Sequence, residues 1–357
     1  MSGDVSGLPR ADRDPVYTVD LTPAANLSGD ILMQYAIIGC GTIGRAHARA
    51  TGQDRRIEQR YFVDLDLARA QELASEFGGV ALNDLDELPE SLDAASVTTA
   101  PAAHYGITRT LLERSVAVFC EKPLSLNMAD SDAMIEATDA AGVHLMVGMV
   151  LRFYPVHTLA RRLVDDGEIG RVVYIEGDYT NAYRGPRKRP ESWYGSVGGY
   201  LENGIHKVDL VNWFGGTAQT VTAEVGSFSG HDDWEDYALT LLRYGADTTG
   251  ILRWGPFMGA RGTNETIIDG SEGSLRLSIR EDTAYLKKIG EADWTEIVPD
   301  RSKAHGVAGE LTHFVECIES GGTPLVDGRA GRHAVEVVLA SYRSAKTHAK
   351  IDLPITD

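Results

Sequence analysis

Cysteine is scarce in this chain of 357 residues, which contains three. They stand at positions 40, 120 and 317, and no two of them have C-x-x-C spacing. An odd and scattered set of cysteines supports neither a disulfide framework nor a thiolate zinc site. We therefore expect a reducing, cytoplasmic setting and no bound metal.

Long apolar runs and an excess of basic residues are also absent. The longest apolar run, residues 145–151, is far shorter than the roughly 20 residues of a membrane-spanning helix. The opening MSGDVSGLPRADRDP has no apolar core of a secretory signal. Lys and Arg number 34 against 52 Asp and Glu, a net charge of −18. This charge repels nucleic acid and anionic membranes, so we expect neither as a partner.

The composition is that of a soluble globular protein, with 43% hydrophobic and 24% charged residues. A single core seldom grows to this length, so the chain is expected to form two domains. Residues 1–32 are rich in Gly, Asp, Pro and Ser and lack periodicity, which predicts a flexible tail. The alternative is that residues 16–21, which alternate apolar and polar, add an edge strand to a neighbouring subunit.

The first half of the chain alternates predicted strands with predicted helices. The strand candidates are residues 34–38, 60–63, 97–100, 116–120 and 144–149. The helix candidates are residues 44–51, 67–77, 105–114 and 128–140. Alternation with short links predicts an α/β domain with a doubly wound parallel sheet covered on both faces.

The second half changes character, because strand candidates follow one another with few helices between them. They are residues 172–179, 221–228, 237–244, 248–254, 265–268, 274–279, 284–289 and 294–298. Helices are predicted at residues 310–319 and 332–348. This order predicts an α+β domain with a large, mostly antiparallel sheet.

A glycine-rich loop follows the first predicted strand and precedes the first helix. Gly39, Gly41 and Gly44 form G-x-G-x-x-G in the context that a dinucleotide-binding loop requires. Gly39 permits the tight turn, Gly41 the approach of a pyrophosphate, and Gly44 close helix–strand packing. Thr42 and Ile43 open the helix, whose free N–H groups attract phosphate. The alternative is a tight turn without a ligand.

Asp64 follows the second predicted strand, about 20 residues beyond the loop, as in dinucleotide-binding folds. A carboxylate there accepts hydrogen bonds from a ribose hydroxyl and repels a 2′-phosphate. We therefore expect NAD as the cofactor, with NADP disfavoured.

Glu121-Lys122-Pro123 stands at the carboxyl end of a predicted parallel strand, where open α/β sheets bind ligands. Lys122 can hydrogen-bond a substrate hydroxyl there, and a nearby nicotinamide cation lowers a lysine pKa. The alternative is a solvated lysine before a proline that ends the element.

The stretch at 198–209, GGYLENGIHKVD, carries a candidate for proton transfer. In a helix, Glu202, His206 and Asp209 share one face, and carboxylates beside a histidine hold its tautomer and charge. Gly204 costs a helix roughly 1 kcal/mol, which indicates close approach by a ring or backbone. An adjacent apolar face consists of Leu201, Ile205 and Val208. The alternative is a surface helix with an ordinary His–Asp pair.

One basic cluster, residues 184–190, stands out in this acidic chain. It precedes Trp193 and the His206 stretch and fits a clamp for a phosphate or carboxylate of the substrate. The alternatives are a solvated loop and a subunit contact with an acidic patch.

Taken together, the motifs resemble the Gfo/Idh/MocA oxidoreductases (glucose–fructose oxidoreductase, inositol dehydrogenase and relatives) over about residues 33–357. They are IIGCGTIGRAHA at 37–48, FVDLD at 62–66, TAPAAH at 99–104, CEKPLSLN at 120–127, VGMVLRFYP at 147–155, GEIGRV at 167–172, GGYLENGIHKVD at 198–209 and IDLP at 351–354. Their order and spacing make the resemblance more specific than any single motif.

The resemblance implies a Rossmann NAD-binding domain at residues 33–152. It implies a substrate-binding domain at residues 153–357, whose large open sheet joins subunits into a homodimer or homotetramer. It also implies a hydride transfer between NAD and a C–OH or C=O group of a sugar, polyol or cyclitol.

The resemblance carries catalytic roles over to Lys122, His206 and Asp209. His206 would remove the hydroxyl proton, Lys122 would hydrogen-bond the same oxygen, and Asp209 would orient His206 or bind a second hydroxyl. Further cofactor contacts would come from Thr99, Ala100, Pro101, His104, Glu121, Lys122 and Arg152. Substrate contacts would come from Arg152, Tyr179, Trp193 and Glu202.

Two of these positions leave alternatives open. Arg152 would either bridge cofactor and substrate or be a surface arginine after a strand. The family more often has Asp where this chain has Glu202, so the hydroxyl bound there is expected to differ. Two competing functions also stand: an NAD-dependent glycosidase that uses transient oxidation, and a non-catalytic NAD-binding regulator.

Overall fold

The computed structural model describes residues 32–180, 197–228, 234–255 and 262–356. The predicted tail up to residue 31, the alternative strand at 16–21, the basic cluster at 184–190 and Trp193 lie outside the described residues. The described part builds a parallel sheet and a larger, mostly antiparallel sheet, each covered by helices. The α/β fold class predicted from the sequence is confirmed.

The first sheet contains six parallel strands in the order β3-β2-β1-β4-β5-β6. Its elements are β1 Met33–Ile38, α1 Thr42–Gln53, β2 Ile57–Val63, α2 Leu67–Phe77, β3 Val80–Leu82, β4 Ala94–Val97, α3 His104–Glu113, β5 Ala117–Cys120, α4 Met128–Ala141 and β6 Leu145–Val147. The strand order reverses between β1 and β4, and ligands bind at the carboxyl ends of strands beside such a point.

Strand β4 ends earlier than its apolar run predicts, at Val97. The next residue, Thr98, crosses over the glycine loop, where its Oγ1 donates to the carbonyl oxygen of Gly39 at 2.7 Å. The chain then enters a short 3-10 turn at Pro101–Ala103. The predicted strand at residues 97–100 therefore lies three residues too far along the chain, since β4 ends at Val97 and the chain then turns over the glycine loop.

The second sheet contains nine strands in the order β14-β13-β12-β11-β7-β10-β9-β8-β15. Every pairing is antiparallel except that of β7 with β10. Its strands are β7 Val172–Thr180, β8 Thr220–Gly226, β9 Tyr237–Tyr244, β10 Thr248–Gly255, β11 Thr263–Gly270, β12 Gly273–Ser278, β13 Thr283–Lys288, β14 Thr295–Ile297 and β15 Ile351–Asp352.

Helices cover one face of this sheet and also tie it to the first domain. They are α5 Pro155–Asp165, a π-helical turn at Tyr200–Gly204 that continues into α6 Ile205–Gly215, α7 Gly306–Ser320 and α8 Gly328–Thr347. Helix α5 was not predicted, although Pro155 suits the first turn of a helix. Helices α6 and α8 pack on the sheet, and α7 packs on α1 of the parallel domain.

Two negative findings concern the part of the chain that the structure describes. None of its helices is both long and apolar enough to cross a membrane. It also contains no group of three or more His, Cys, Asp or Glu side chains arranged to bind a metal ion.

Helix α7 buries a carboxyl group between the two domains. Glu310 is 0% exposed, and neither of its side-chain oxygens has a hydrogen-bond partner among the described residues. Burial raises the pKa of Glu310 well above its ordinary value, and the negative charges of Glu121 and Asp209 raise it further. Burial of Glu310 therefore favours the neutral form of its carboxyl group.

Glu310→Gln should stabilise the protein more at pH 8 than at pH 5. A carboxyl group whose pKa is raised by folding carries no penalty below its pKa in the unfolded chain, and stability is lost as the pH rises toward its pKa in the folded protein. The neutral amide removes that loss. We expect the melting temperature of the variant, relative to wild type, to rise with pH, by about 2–4 °C per kcal/mol recovered.

Glu316→Gln provides the control, because Glu316 lies on the same helix but is exposed. Its melting temperature should follow that of the wild type at both pH values. A difference between Glu310→Gln and wild type that is equal at pH 5 and pH 8 would show that Glu310 ionises normally.

Candidate active site

The glycine loop between β1 and α1 has the shape that a pyrophosphate requires. Gly39 has φ of 97°, and a Cβ there would lie 2.8 Å from main-chain atoms of Thr98 and Thr99. A Cβ at Gly44 would collide with the carbonyl oxygen of Gly39. At Gly41, in contrast, a Cβ would meet nothing within 4 Å. The backbone is thus open at the residue that precedes α1, where helix N–H groups point outward.

Asp64 is fixed beside this loop by two main-chain hydrogen bonds. Its Oδ2 accepts from the N–H of Cys40 at 2.8 Å, and its Oδ1 accepts from the N–H of Asp66 at 2.9 Å. The carboxylate therefore stands next to the open backbone at Gly41 with acceptor capacity remaining. These residues fit NAD, whose free ribose hydroxyl can donate to Asp64, and they oppose a 2′-phosphate.

Lys122 and Glu202, which are 80 positions apart in the chain, meet at the domain junction. The Nζ of Lys122 donates to Oε1 of Glu202 at 2.6 Å and to its main-chain oxygen, also at 2.6 Å. Both side chains are largely buried. The alternative of a solvated lysine is therefore wrong, since the lysine is bound by a residue of the second domain.

The neighbouring Glu121 is hydrogen-bonded to a histidine that the sequence motifs do not single out. His47 Nε2 donates to Oε1 of Glu121 at 3.0 Å, and His47 Nδ1 lies 2.9 Å from the hydroxyl of Ser96. Tyr35 continues this buried chain, with its hydroxyl 2.7 Å from that of Ser96. His47 belongs to the motif at 37–48, but only a tertiary contact identifies its partner.

Glu121 is an anion in this arrangement. Burial opposes its ionisation, but the hydrogen bond from His47 and the nearby charge of Lys122 keep the pKa of Glu121 below its ordinary value. A Cβ at Gly148 would lie 2.9 Å from the carboxylate, so the glycine leaves the space that Glu121 occupies.

The segment with Glu202 and His206 is helical, but not uniformly. His206 and Asp209 lie in α6, whereas Glu202 lies in the preceding π turn. The period of 3.6 residues therefore does not hold at Glu202, because a π turn contains more residues per turn. The predicted approach of a ring to Gly204 is confirmed, since a Cβ there would collide with the ring of Tyr200. The apolar residues of the adjacent face are buried as predicted: Leu201, Ile205 and Val208.

His206 is neutral at physiological pH. Burial lowers its pKa to about 3, and the charge of Lys122 lowers it further while that of Glu121 opposes this effect. Its Nδ1 is buried without a hydrogen-bond partner among the described residues, as are Thr99 Oγ1 and Glu202 Oε2. Because buried polar atoms are nearly always paired, these atoms mark a place for a polar ligand.

Asp209 is bound by Arg152 rather than left free. The guanidinium donates to both carboxylate oxygens, from Nε to Oδ2 at 2.8 Å and from Nη2 to Oδ1 at 2.6 Å. Arg152 also donates to the main-chain oxygen of Leu325 at 3.0 Å. Arg152 is 6% exposed, so the alternative of a surface arginine is wrong. The catalytic role of Asp209 remains a prediction.

The segment after β4 is tied to the segment after β5 by His104. Its Nδ1 lies 2.8 Å from the main-chain oxygen of Pro123, and its Nε2 lies 3.1 Å from that of Thr99. His104 thus fixes the loop with Thr99, Ala100 and Pro101 beside Lys122, and its direct contact with a cofactor remains a prediction.

Tyr179 lies on β7 in the second domain, apart from this loop. It shares its face of the strand with Gly177. A Cβ at Gly177 would lie 2.9 Å from Lys207 of α6, so Tyr179 is on the helix-covered side of the sheet. Its contact with substrate remains a prediction.

Comparisons with known proteins place this geometry in a family. The family model described as an oxidoreductase family with an NAD-binding Rossmann fold matches residues 33–149, and the model of its C-terminal alpha/beta domain matches residues 161–353. These two matches include the glycine loop, Lys122 and His206.

Several similar proteins are dehydrogenases of sugars and cyclitols. D-apiose dehydrogenase of Paraburkholderia graminis is 26% identical over 89% of this chain and 89% of its own. The NAD(+)-dependent scyllo-inositol 2-dehydrogenase of Bacillus subtilis is 27% identical over 90% of this chain and 96% of its own. The structure of levoglucosan dehydrogenase in complex with NADH and levoglucosan has a similar fold, with a TM-score of 0.81, 21% identity, and coverage of 90% of this chain and 100% of that one. The chain belongs to the Gfo/Idh/MocA family of NAD-binding oxidoreductases.

Proposed function

We propose that this protein is an NAD-dependent dehydrogenase or ketoreductase that acts on a hydroxyl-bearing carbon of a sugar or cyclitol. The observation that carries the proposal is the pairing of Lys122 with Glu202 beside the neutral His206, whose Nδ1 has no hydrogen-bond partner in the described part of the chain. This arrangement joins a cationic donor, a proton acceptor and a free carboxylate oxygen. The named relatives D-apiose dehydrogenase and scyllo-inositol 2-dehydrogenase support polyhydroxylated substrates.

The role of each side chain follows from the hydrogen bonds that it makes and from those that it can still make. Lys122 carries three N–H donors, and Glu202 accepts at two points, so one donor remains for the reacting oxygen. That hydrogen bond stabilises negative charge as the hydroxyl proton leaves. His206 accepts this proton, and the carboxylate of Glu202 accepts from a second hydroxyl. Bound NAD supplies the hydride acceptor.

Asp209 and Arg152 form a buried ion pair beside this site. Their doubly hydrogen-bonded pair joins α6, which carries His206, to the segment that leaves the first domain. We assign them a positioning role, because Asp209 is 1% exposed and both of its oxygens are already hydrogen-bonded to Arg152.

Lys122→Met and His206→Asn should each lower turnover by about 10²–10⁴-fold, the range for loss of one acid–base group. NAD affinity, measured by calorimetry, should be almost unchanged. The assay follows NADH formation with D-apiose, scyllo-inositol, myo-inositol and levoglucosan. The exposed Lys350→Met and His305→Asn are controls and should retain wild-type turnover. Normal turnover in both active-site variants would refute the assigned roles.

The same assay across pH separates this site from an ordinary histidine. Because burial lowers the pKa of His206 to about 3, oxidation should not lose its base between pH 7 and pH 5. If a substrate is cleaved with NAD present and no net NADH accumulates, the glycosidase alternative is favoured. If the protein binds NAD and no substrate reacts, the regulator alternative is favoured.

Asp64→Asn should weaken the preference for NAD over NADP. The amide oxygen can still accept from Cys40, but the charge that binds the ribose hydroxyl and repels the 2′-phosphate is lost. We expect the KM for NAD to rise about tenfold, as for loss of one charged hydrogen bond. Asp93→Asn is the matched control, since Asp93 accepts from the main-chain N–H of Gln34 at 2.7 Å at the start of β1. A wild type that prefers NADP would show that Asp64 is wrongly assigned.

One face of the large sheet carries exposed apolar side chains, which supports the expected association of this chain with further copies of itself. Leu239 and Leu241 of β9 and Ile251 of β10 are 43%, 46% and 38% exposed, and Leu241 pairs directly with Ile251. The opposite face packs against α6 and α8. Contiguous exposed apolar residues mark an interaction surface, and we assign it to a second copy of this chain.

Leu241→Glu should reduce the oligomer to a smaller species, because the substitution would bury a charge in the interface between the large sheets of two subunits. Mass measured by light scattering tests this expectation. Leu65→Glu is the control, since Leu65 is 97% exposed on the parallel domain. A Leu241→Glu protein with the mass of the wild type would place the interface elsewhere, and a monomeric wild type would exclude self-association.

A further inference from the structure

The helical turn that carries Glu202 is wider than an α-helical turn. The N–H of Ile205 donates to the carbonyl oxygen of Tyr200, an i to i−5 hydrogen bond. Such π turns are rare and occur frequently at functional sites. In this protein the turn also presents the main-chain oxygen of Glu202 to Lys122.

Two side chains distant in the sequence bind the main chain at the start of this turn. Glu235, between β8 and β9, accepts from the N–H of Tyr200 at 2.8 Å through Oε1. The hydroxyl of Tyr342, on α8, accepts from the N–H of Leu201 at 3.1 Å. The same hydroxyl donates to Oε1 of Glu235, which joins the two groups. They thus satisfy two N–H groups that a helix start leaves without helical partners.

The packing around the turn leaves this pair little freedom. Gly198 has φ of 92°, and a Cβ there would lie 2.9 Å from both Glu235 Oε1 and the Tyr342 hydroxyl. A Cβ at Gly199 would lie 2.7 Å from the ring of Trp254. The indole N–H of Trp254 in turn donates to Oδ1 of Asn203 at 3.1 Å.

The Tyr342 hydroxyl keeps its proton and therefore acts as a hydrogen-bond donor. Burial raises the pKa of Tyr342 well above its ordinary value, and the charge of Glu235 raises it further. Its hydroxyl therefore remains protonated throughout the physiological pH range and keeps its bond to Glu235.

We propose that Glu235 and Tyr342 are positioning residues that fix the π turn and thereby set the position and reactivity of Lys122. The link is Glu202, whose main-chain and side-chain oxygens both hold the ammonium. A main-chain oxygen moves only with its turn, so a change at the start of the turn reaches Lys122. The effect on catalysis rests on the proposed dehydrogenase function, whereas the effect on Lys122 itself does not.

Chemical labelling of Lys122 tests the proposal without any substrate. The full-length protein is treated briefly with acetic anhydride, and acetylation of Lys122 is measured by peptide mass spectrometry relative to the exposed Lys350. In Tyr342→Phe, which deprives Leu201 of its acceptor, Lys122 labelling should rise about fivefold, the effect of one lost buried hydrogen bond. Glu235→Gln retains an acceptor for Tyr200, so its labelling should lie between those of wild type and Tyr342→Phe.

Tyr244→Phe is the matched control. Its buried hydroxyl donates to Oδ1 of Asn212 at 2.7 Å near the far end of α6, so the variant loses a similar bond without touching the π turn. With a substrate identified, kcat should fall about fivefold in Tyr342→Phe while NAD affinity stays unchanged, and kcat of Tyr244→Phe should match wild type.

The outcomes separate the two claims. Equal Lys122 labelling in Tyr342→Phe, Glu235→Gln and Tyr244→Phe would overturn the positioning role, whatever the substrate. Absence of turnover by the wild type on every sugar and cyclitol would count against the proposed function, while a change in labelling would still support the positioning role.

Discussion

The pairing of Lys122 with Glu202 shows the constraint that shapes the domain junction: charge buried there must be matched. An isolated charge in a protein interior costs several kcal/mol, which only a close partner recovers. Glu121 has His47, and Asp209 has Arg152. Among the described residues, Glu310 and His206 have no such partner, and burial shifts the pKa of each toward the neutral form. The carboxyl groups of Glu121 and Asp209 are thus held by donors, whereas burial favours the neutral forms of Glu310 and His206.

This pairing also connects the domains. Lys122 follows a strand of the parallel sheet, while Glu202 lies in a turn packed on the antiparallel sheet. The chain returns to the first domain before α8, where the N–H of Val147 donates to the carbonyl oxygen of Val326 at 2.9 Å. The candidate site is therefore assembled from several segments held in one packed junction. A neutral acceptor and a fixed cation at one point favour removal of a proton from a hydroxyl group, because the cation stabilises the alkoxide that forms.

How much the sequence predicted depends on the range of the interactions involved. The glycine loop and Asp64 follow local rules of turn, helix start and strand end, and the structure brings them together as expected. His47 and Glu121, in contrast, are 74 positions apart, and no period or motif spacing relates them. The same holds for Glu235 and Tyr342, 107 positions apart. The helical period did not predict the π turn at Glu202, where side chains distant in the sequence bind the main chain.

One local feature did point to this turn: Gly198, Gly199 and Gly204 lie close together where a helix is expected. Glycine weakens a helix, so a helix that retains it needs support from tertiary contacts. The structure supplies them through Glu235, Tyr342 and the ring of Trp254. Glu202 depends on the same contacts. Compared with that of an aspartate at the same position, its carboxylate extends one carbon–carbon bond farther, about 1.5 Å. With Oε1 bound to Lys122, that length carries Oε2 farther from the main chain. The position of the Glu202 carboxylate is therefore set by the turn as much as by the length of the side chain.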